Sequence, residues 1–276
     1  MLAAVGHALW NAAARRVAGD VAVLWLSFAL GTLAMIPPCL YLWWQNGPPI
    51  ISQTALFYLL ATGILHAVYF ALLARAYEYG EVSLVYPIAR GSGVGLTALG
   101  GIVLLGEDVT TLGGAGIGLV MLGIALIGAP ALRSATASRQ SVLLALGVGL
   151  SIVAYSLVDK LGVAHMHPLY YITGMWLLGS LFRWPSVWRQ RRGTLRQTAR
   201  THFRYIAFIG LGSLGTYLLI LYAYTLGPVS YIVAARESSV VIGSLIGFVF
   251  LREQYTPLKL VGVFSIAAGL ALLKVS

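Results

Sequence analysis

The sequence predicts an all-α integral membrane protein, ten transmembrane helices arranged as two inverted five-helix repeats. Three observations predict it. The 276 residues are 59% hydrophobic and only 9% charged, with a mean hydropathy of +0.86, which leaves too little polar surface to clothe a water-soluble globule. The apolar residues fall in runs of about 20, the length a helix needs to cross a hydrocarbon core roughly 30 Å thick. A set of polar and glycine positions in the first half of the chain also recurs in the second at a nearly constant offset. The runs are far longer than the roughly ten alternating residues of a barrel strand, and the single cysteine, Cys39, rules out a secreted disulfide scaffold. Helices are then the remaining way to satisfy the backbone in lipid.

Apolar runs and Gly/Pro punctuation place the spans near 1–17, 21–44, 53–76, 82–105, 109–130, 141–160, 168–188, 204–226, 229–251 and 256–274. The breaks are Gly19-Asp20, Asn46 to Pro49, Glu78 to Glu81, Glu107-Asp108, Arg133 to Gln140, His165 to Pro168, Gly227-Pro228 and Arg252 to Gln254. Residues 131–140 read as a linker between a first repeat, 1–130, and a second, 141–276. The first span is short, and no basic leader or small-residue cleavage site precedes it, so a cleavable signal peptide is not expected.

The net charge of +10 invites a nucleic-acid reading, but the cations sit in loops between apolar runs. Loops after odd-numbered spans hold 14 of the 18 Lys and Arg residues, while even-numbered loops and the C-terminal tail hold only Lys160 and Lys274. The positive-inside bias makes the odd loops cytoplasmic and both termini periplasmic. The Arg-rich stretch from Arg183 to Arg204 reads as a topology anchor, with binding of anionic headgroups as the alternative.

The internal repeat is specific. Ala76-Tyr77, Gly80 and Val82-Ser83 recur as Ala223-Tyr224, Gly227 and Val229-Ser230, an offset of 147. After a one-residue slip the offset is 146 for Arg90/Arg236, Ser92/Ser238, Gly101/Gly247, Leu105/Leu251, Glu107/Glu253, Gly116/Gly262 and Gly123/Gly269. Five spans per half is an odd number, so the halves enter the membrane in opposite senses, the arrangement many secondary transporters use for alternating access around a midplane site.

The paired motifs Tyr86-Pro87-Ile88-Ala89-Arg90-Gly91-Ser92-Gly93 then Gly106-Glu107, and Ala235-Arg236-Glu237 then Leu251-Arg252-Glu253, resemble the drug/metabolite transporter superfamily in its ten-helix EamA-type branch. The opening His7-Ala8-Leu9-Trp10-Asn11 is similar to the first helix of many members. The resemblance covers essentially the whole chain. It implies a bacterial inner-membrane carrier, commonly an exporter of amino acids or related metabolites, with a central cavity between the two five-helix halves. The short first helix departs from the pattern.

A charge inside a span needs a reason, because it costs several kcal/mol even on lenient scales. Arg90 lies about 12 Å into its span and Arg236 about 10 Å into the matching one, entering from opposite sides, so both come near mid-depth. One reading is that they bind a carboxylate or phosphonate through the planar guanidinium fork. The other is a buried Arg90–Glu237 or Arg236–Glu237 ion pair that ties two helices together. Two Arg and one carboxylate leave a positive surplus, which favours an anionic group on the substrate. Pro87 removes an amide donor beside Arg90 and is expected to kink the helix. His7, Trp10 and Asn11 share one face of the first span, a polar-aromatic face that points to a cavity rather than lipid. His66 with Tyr69 and Phe70, Tyr155, and Tyr217 with Tyr224 extend the same aromatic wall. Tyr222 and Tyr224 read equally well as interfacial belt. The expected substrate-binding set is thus Arg90, Arg236, Glu237, His7, Trp10, Asn11, His66, Tyr69, Tyr155 and Tyr217.

Other patterns read as structural. The glycine pairs at 91/95, 114/118 and 243/247 are spaced for close helix approach, and the glycine run at 114–118 follows no strand, so it is not a nucleotide loop. His165 and His167 lack the Cys or carboxylate partners of a metal site. Asp159-Lys160 reads as a local ion pair at a span end, and Glu107 and Glu253 as boundary markers. No nucleophile motif, zinc-protease motif or Walker motif is present, so neither an enzyme nor a pump driven by its own ATPase is expected. The expectation is a secondary transporter, without cofactor or metal, of small anionic or zwitterionic metabolites. Export of amphipathic drugs by the same fold, or a non-transporting scaffold or channel, are the alternatives. Cation-drug export through an acidic residue in the first helix is disfavoured, because the first span has none. The partners expected are the small-molecule substrate and the bilayer, with no nucleic acid, and a monomer is compatible with this reading.

Overall fold

The computed structural model describes residues 20–132, 138–249 and 256–276, together with residues 3, 5, 6, 9, 10, 13, 14 and 17. The described residues form helices joined by short turns, without strands: α1 Val21–Ala34, α2 Ile36–Asn46, α3 Gln53–Tyr79, α4 Val82–Leu105, α5 Thr111–Leu132, α6 Arg139–His165, α7 Pro168–Arg191, α8 Leu195–Thr201, α9 Phe203–Leu226, α10 Val229–Ala235, α11 Ser238–Val249 and α12 Pro257–Val275.

Local chemistry sets these limits. Asp20 caps α1 by accepting the Ala22 and Val23 amides at 3.0 and 3.4 Å. Met35 separates α1 from α2, whose first turn accommodates Pro37-Pro38 because amides there need no intrahelical acceptor. Gly106 ends α4 in the left-handed region, φ 65°, and lets the Glu107 amide return to the Gly101 carbonyl at 3.0 Å. Thr256 caps α12 ahead of Pro257. Pro87 sits inside an uninterrupted α4, where its ring packs against the bare backbone of Gly128.

Among the described residues seven segments are long and apolar enough to cross a membrane: Val21–Asn46, Gln53–Tyr79, Ser83–Leu105, Thr111–Pro130, Arg139–His165, Phe203–Leu226 and Pro257–Val275. Each falls on an expected span. Of the other three, the first lies largely outside the described residues. The span expected at 168–188 is the 24-residue α7, whose C-terminal turns carry Arg183, Arg189 and Arg191. The one expected at 229–251 is broken at Arg236-Glu237 into α10 and α11, so neither piece alone reaches the required length. The span expected to end at 160 instead runs to His165.

The chain forms two compact units, each drawn from both halves of the sequence. One comprises residues 65–157 and 226–276 and the other residues 2–64 and 158–225. In the first, Ala76, Val85, Ala89, Ala145, Val148, Ile152 and Tyr155 of α3, α4 and α6 form a buried cluster. Here α5 and α12 cross antiparallel with their backbones in contact: a Cβ on Gly116 would lie 2.9 Å from the Gly269 carbonyl oxygen, and one on Gly123 2.5 Å from that of Gly262. Between these contacts Ser265 Oγ donates to the Leu119 carbonyl at 2.8 Å. Without a hydrophobic driving force in lipid, such close approach is what holds helices together. In the second unit, Gly31 of α1 lies under the Trp176 ring of α7 and Gly210 of α9 against the Ser27 carbonyl. Trp25 donates to the Ser180 carbonyl at 2.9 Å.

Candidate functional site

Polar groups inside the first unit collect around the break between α10 and α11. The break is a tightened turn: the Glu237 amide bonds to Ala234 O, that of Ser239 to Arg236 O and that of Val240 to Glu237 O, at 3.1, 3.1 and 2.9 Å. Ser238 Oγ takes up the Ala235 carbonyl at 2.8 Å. A discontinuous helix leaves backbone groups that side chains must satisfy, which membranes tolerate only where protein or water surrounds them.

Glu237, 1% exposed, meets Arg90 of α4 in a two-point contact: Nη2 to Oε1 at 2.5 Å and Nε to Oε2 at 3.3 Å. Such a bidentate pair fixes both planes as well as neutralising the charges. Tyr86, one turn earlier on α4, lays its ring 5.8 Å from the guanidinium carbon of Arg90. Arg236 stands near enough to contribute to the field at both Arg90 and Glu237. Among the described residues the cluster brings together the guanidinium groups of Arg90 and Arg236 and the carboxylate of Glu237.

Aromatic rings adjoin it. His66 and Tyr155 lie 4.4 Å apart between centroids, and Tyr69 meets Tyr155 edge-on at 5.6 Å. Tyr69 and Tyr155 are within electrostatic reach of Arg90. The first unit thus gathers Arg90, Arg236, Glu237, His66, Tyr69 and Tyr155.

The second unit holds Trp10 and Tyr217. Trp10 packs on the cluster of Val17, Val23, Ile206 and Ile209, with Gly212 beneath its Cβ. Tyr217 donates its phenol proton to Asp159. Tyr224, read equally well as interfacial belt, is fully buried. His7 and Asn11 lie outside the described residues, as does Glu253.

Three side chains carry more than their sequence reading gave them. Glu107 is a cap rather than a boundary marker: its carboxylate accepts the Val229 amide at 2.5 Å, the Ser230 amide at 3.1 Å and the Ser230 hydroxyl at 2.7 Å, which closes the N-terminus of α10. The repeated pairing of Val-Ser with a following Glu was the signal for it. Tyr86 could have been found from its four-residue spacing to Arg90. Asp159, placed by sequence at a span end, is fully buried within α6. His165 stacks on Tyr58 at 5.6 Å, and His167 caps α7 by accepting the Leu169 amide at 3.3 Å. Burial holds the His167 imidazole below its usual range.

The chain was compared with known proteins. Among curated proteins none matches it. A crystal structure described only as "Crystal structure of protein" superposes with a TM-score of 0.74 over 99% of this chain and 94% of that one, at 15% identity, a likeness of fold alone. The model of the EamA-like transporter family matches residues 1–129 and 139–275. Multiple apolar helices, a buried charged cluster at a broken span and a family match along nearly the whole sequence agree: the chain belongs to the EamA-like transporter family, membrane proteins of the drug/metabolite transporter superfamily.

Proposed function

We propose that the protein is a secondary transporter that exports amino acids or related small anionic or zwitterionic metabolites across a bacterial inner membrane by alternating access. The observation that carries this reading is the buried cluster at the break between α10 and α11, where Glu237 meets Arg90 in a two-point contact and lies in the field of Arg236 as well. A carboxylate or phosphonate on the substrate suits such a cluster, because the bidentate fork of Arg binds either. Tyr69, Tyr155 and His66 offer an aromatic surface to the rest of such a molecule.

Ten spans in two inverted repeats complete the proposal. In its support, the α5–α12 crossing maps onto itself under the offset: 116 matches 262, 123 matches 269, and the bonded pair Leu119 and Ser265 match each other. An antiparallel crossing with that property has a pseudo-two-fold axis perpendicular to both helices, as an inverted repeat requires. The family match on either side of residues 130–138 supports the same division. The cation distribution supports periplasmic termini.

Two experiments test this. Purified protein in proteoliposomes is challenged with radiolabelled amino acids, aminophosphonates and an amphipathic cation. Saturable uptake of an amino acid or aminophosphonate is expected, and transport of the cation alone would overturn the substrate class. In a Cys39→Ser background, Ser52→Cys should label with an impermeant thiol reagent on whole cells and Thr194→Cys should not; the reverse pattern would overturn the orientation.

A further inference from the structure

We propose that the second unit carries a binding site for an anionic phospholipid headgroup at the corner between α7 and α8, built from Trp184, Trp188, Arg192, Arg196 and Arg200. Such a site is independent of what the protein transports.

The sequence concentrates positive charge here. Seven of the 18 Lys and Arg residues lie between Arg183 and Arg204, and no Asp or Glu occurs from Lys160 to Arg236. Arg75, by contrast, has Glu78 one turn away on α3. Arg189, Arg192, Arg196, Arg200 and Arg204 are exposed, and among the described residues none of their side chains has an ion-pair or hydrogen-bond partner.

The arrangement on α8 goes beyond a solvated charge run. Arg196 and Arg200 are four residues apart and share one face, whereas Leu195, Thr198 and Ala199 are half-buried on the other. The helix packs against α1. Like charges at this spacing weaken a helix, and seven residues are too few to hold one by backbone bonds alone. An anion laid across both guanidinium groups turns their repulsion into attraction.

Aromatic side chains mark that anion as part of a lipid. Trp184, Trp188 and Arg192 follow one another at four-residue steps along the end of α7. The rings of Trp184 and Trp188 pack 4.7 Å apart, and Trp25 of α1 backs Trp184 at 5.1 Å. Trp25 donates its indole proton to the Ser180 carbonyl. The indole N–H groups of Trp184 and Trp188, 37% and 46% exposed, have no acceptor among the described residues. Tryptophan settles at the level of the glycerol esters, whose carbonyls accept an indole proton, and arginine reaches the phosphates beyond. Along α7 the two rings and then Arg192 follow the order of those groups in a phospholipid, and Gly193 and Thr194 alone separate Arg192 from α8. A soluble phosphate would engage the guanidinium groups and leave the rings unused. A zwitterionic headgroup would bring its own ammonium among the arginines, so the complementary lipid is one of net negative charge.

The test titrates the full purified chain in detergent with phosphatidylglycerol, phosphatidylcholine and soluble glycerol 3-phosphate, reading bound lipid by native mass spectrometry and the melting temperature in parallel. Phosphatidylglycerol should bind and raise the melting temperature at concentrations where the other two do neither, and high salt should weaken its binding. Arg196→Gln/Arg200→Gln should melt close to wild type in detergent alone, yet bind phosphatidylglycerol about 30-fold more weakly, the effect of removing two basic residues from beside an anionic surface. The charge-matched Arg75→Gln/Arg139→Gln should bind as wild type does. Equal affinity for the two lipids, binding indifferent to salt, unchanged binding in the α8 variant or an equal loss in the charge-matched one would overturn the proposal. Full stabilisation by glycerol 3-phosphate would overturn it as well, by making a soluble phosphate the ligand.

Discussion

Arg90 and Glu237 meet through two nitrogen–oxygen contacts across a break in the helix that carries the carboxylate. The pair joins α4 to the α10–α11 turn, so its loss has a structural cost separable from any cost to transport. Arg90→Ala leaves a buried carboxylate unpaired and is expected to destabilise by about 3–5 kcal/mol. Adding Glu237→Ala should recover much of that stability, a coupling that thermal unfolding of the single and double variants measures directly. Arg90→Lys keeps the charge but loses the fork, and should weaken uptake while leaving the melting temperature nearer to wild type. Normal flux with lowered stability in the Arg90 variants would mean that the pair is purely structural.

Gly91 offers the converse experiment. A Cβ there meets only Ile124 Cγ2, at 3.5 Å, an ordinary contact, so a side chain can be introduced at its root. Gly91→Glu would place a carboxylate at the position matched to Glu237. If Arg236 receives the anionic end of the substrate, Gly91→Glu should lose uptake of amino acids, whereas Gly91→Gln, of the same bulk without the charge, should lose less. Equal uptake by wild type and Gly91→Glu would remove Arg236 from the binding site.

The sequence made the helix limits legible because Gly, Pro and capping residues punctuate it: Asp20, Gly106, Pro168 and Pro257 each stand at an observed helix boundary. It left two alternatives open for the partner of Glu237, since Arg90 and adjacent Arg236 both come to mid-depth by helix arithmetic and only the fold distinguishes them. The break at Arg236-Glu237 was hidden, because residues 229–249 are otherwise apolar and read as one run. Asp159 was misplaced for a related reason. Hydropathy treats a charged dipeptide as an edge, and it cannot register that Tyr171 and Tyr217, distant in sequence, supply the phenols that let a carboxylate sit inside a helix bundle.

The α5–α12 crossing predicts a sharp contrast between neighbouring glycines. A Cβ at Gly123 would lie 2.5 Å from the Gly262 carbonyl oxygen, whereas one at Gly118 meets nothing within 4 Å. Gly123→Ala must push the helices apart and should cost about 1–3 kcal/mol, the range for overpacking. Gly118→Ala should be neutral or stabilising by up to about 1 kcal/mol through helix propensity. Detergent-solubilised melting curves check both, and equal effects would argue against backbone contact.

His167 predicts a modest pH effect at the start of α7. Its neutral imidazole accepts the Leu169 amide, and burial lowers its proton affinity relative to an exposed histidine. Because the folded-state value lies below the unfolded one, the stabilisation is present above the unfolded value, near pH 6.5, and is lost as pH falls towards the folded one. Thermal stability should therefore fall between about pH 7 and pH 5. His167→Asn retains a capping oxygen that does not titrate, and should reduce this slope. An unaltered slope would assign the pH effect to another group.

Glu107 holds the helix that ends at Arg236. Its three contacts satisfy the first amides of α10 and the Ser230 hydroxyl, so Glu107→Ala removes a cap and a negative charge from a helix N-terminus together. Loss of the cap alone is worth about 0.5–2 kcal/mol, with further loss from the helix dipole. Ser230→Ala removes one of the three contacts and should cost less, and the double variant should cost less than the sum of the two singles, because the residues share an interaction. Since α10 is only seven residues long, slackness at Val229 is transmitted to Arg236 two turns away. Glu107→Ala should therefore reduce substrate uptake as well as melting temperature, with Glu107→Gln intermediate in both. Wild-type melting in Glu107→Ala would show that the carboxylate is not what secures α10.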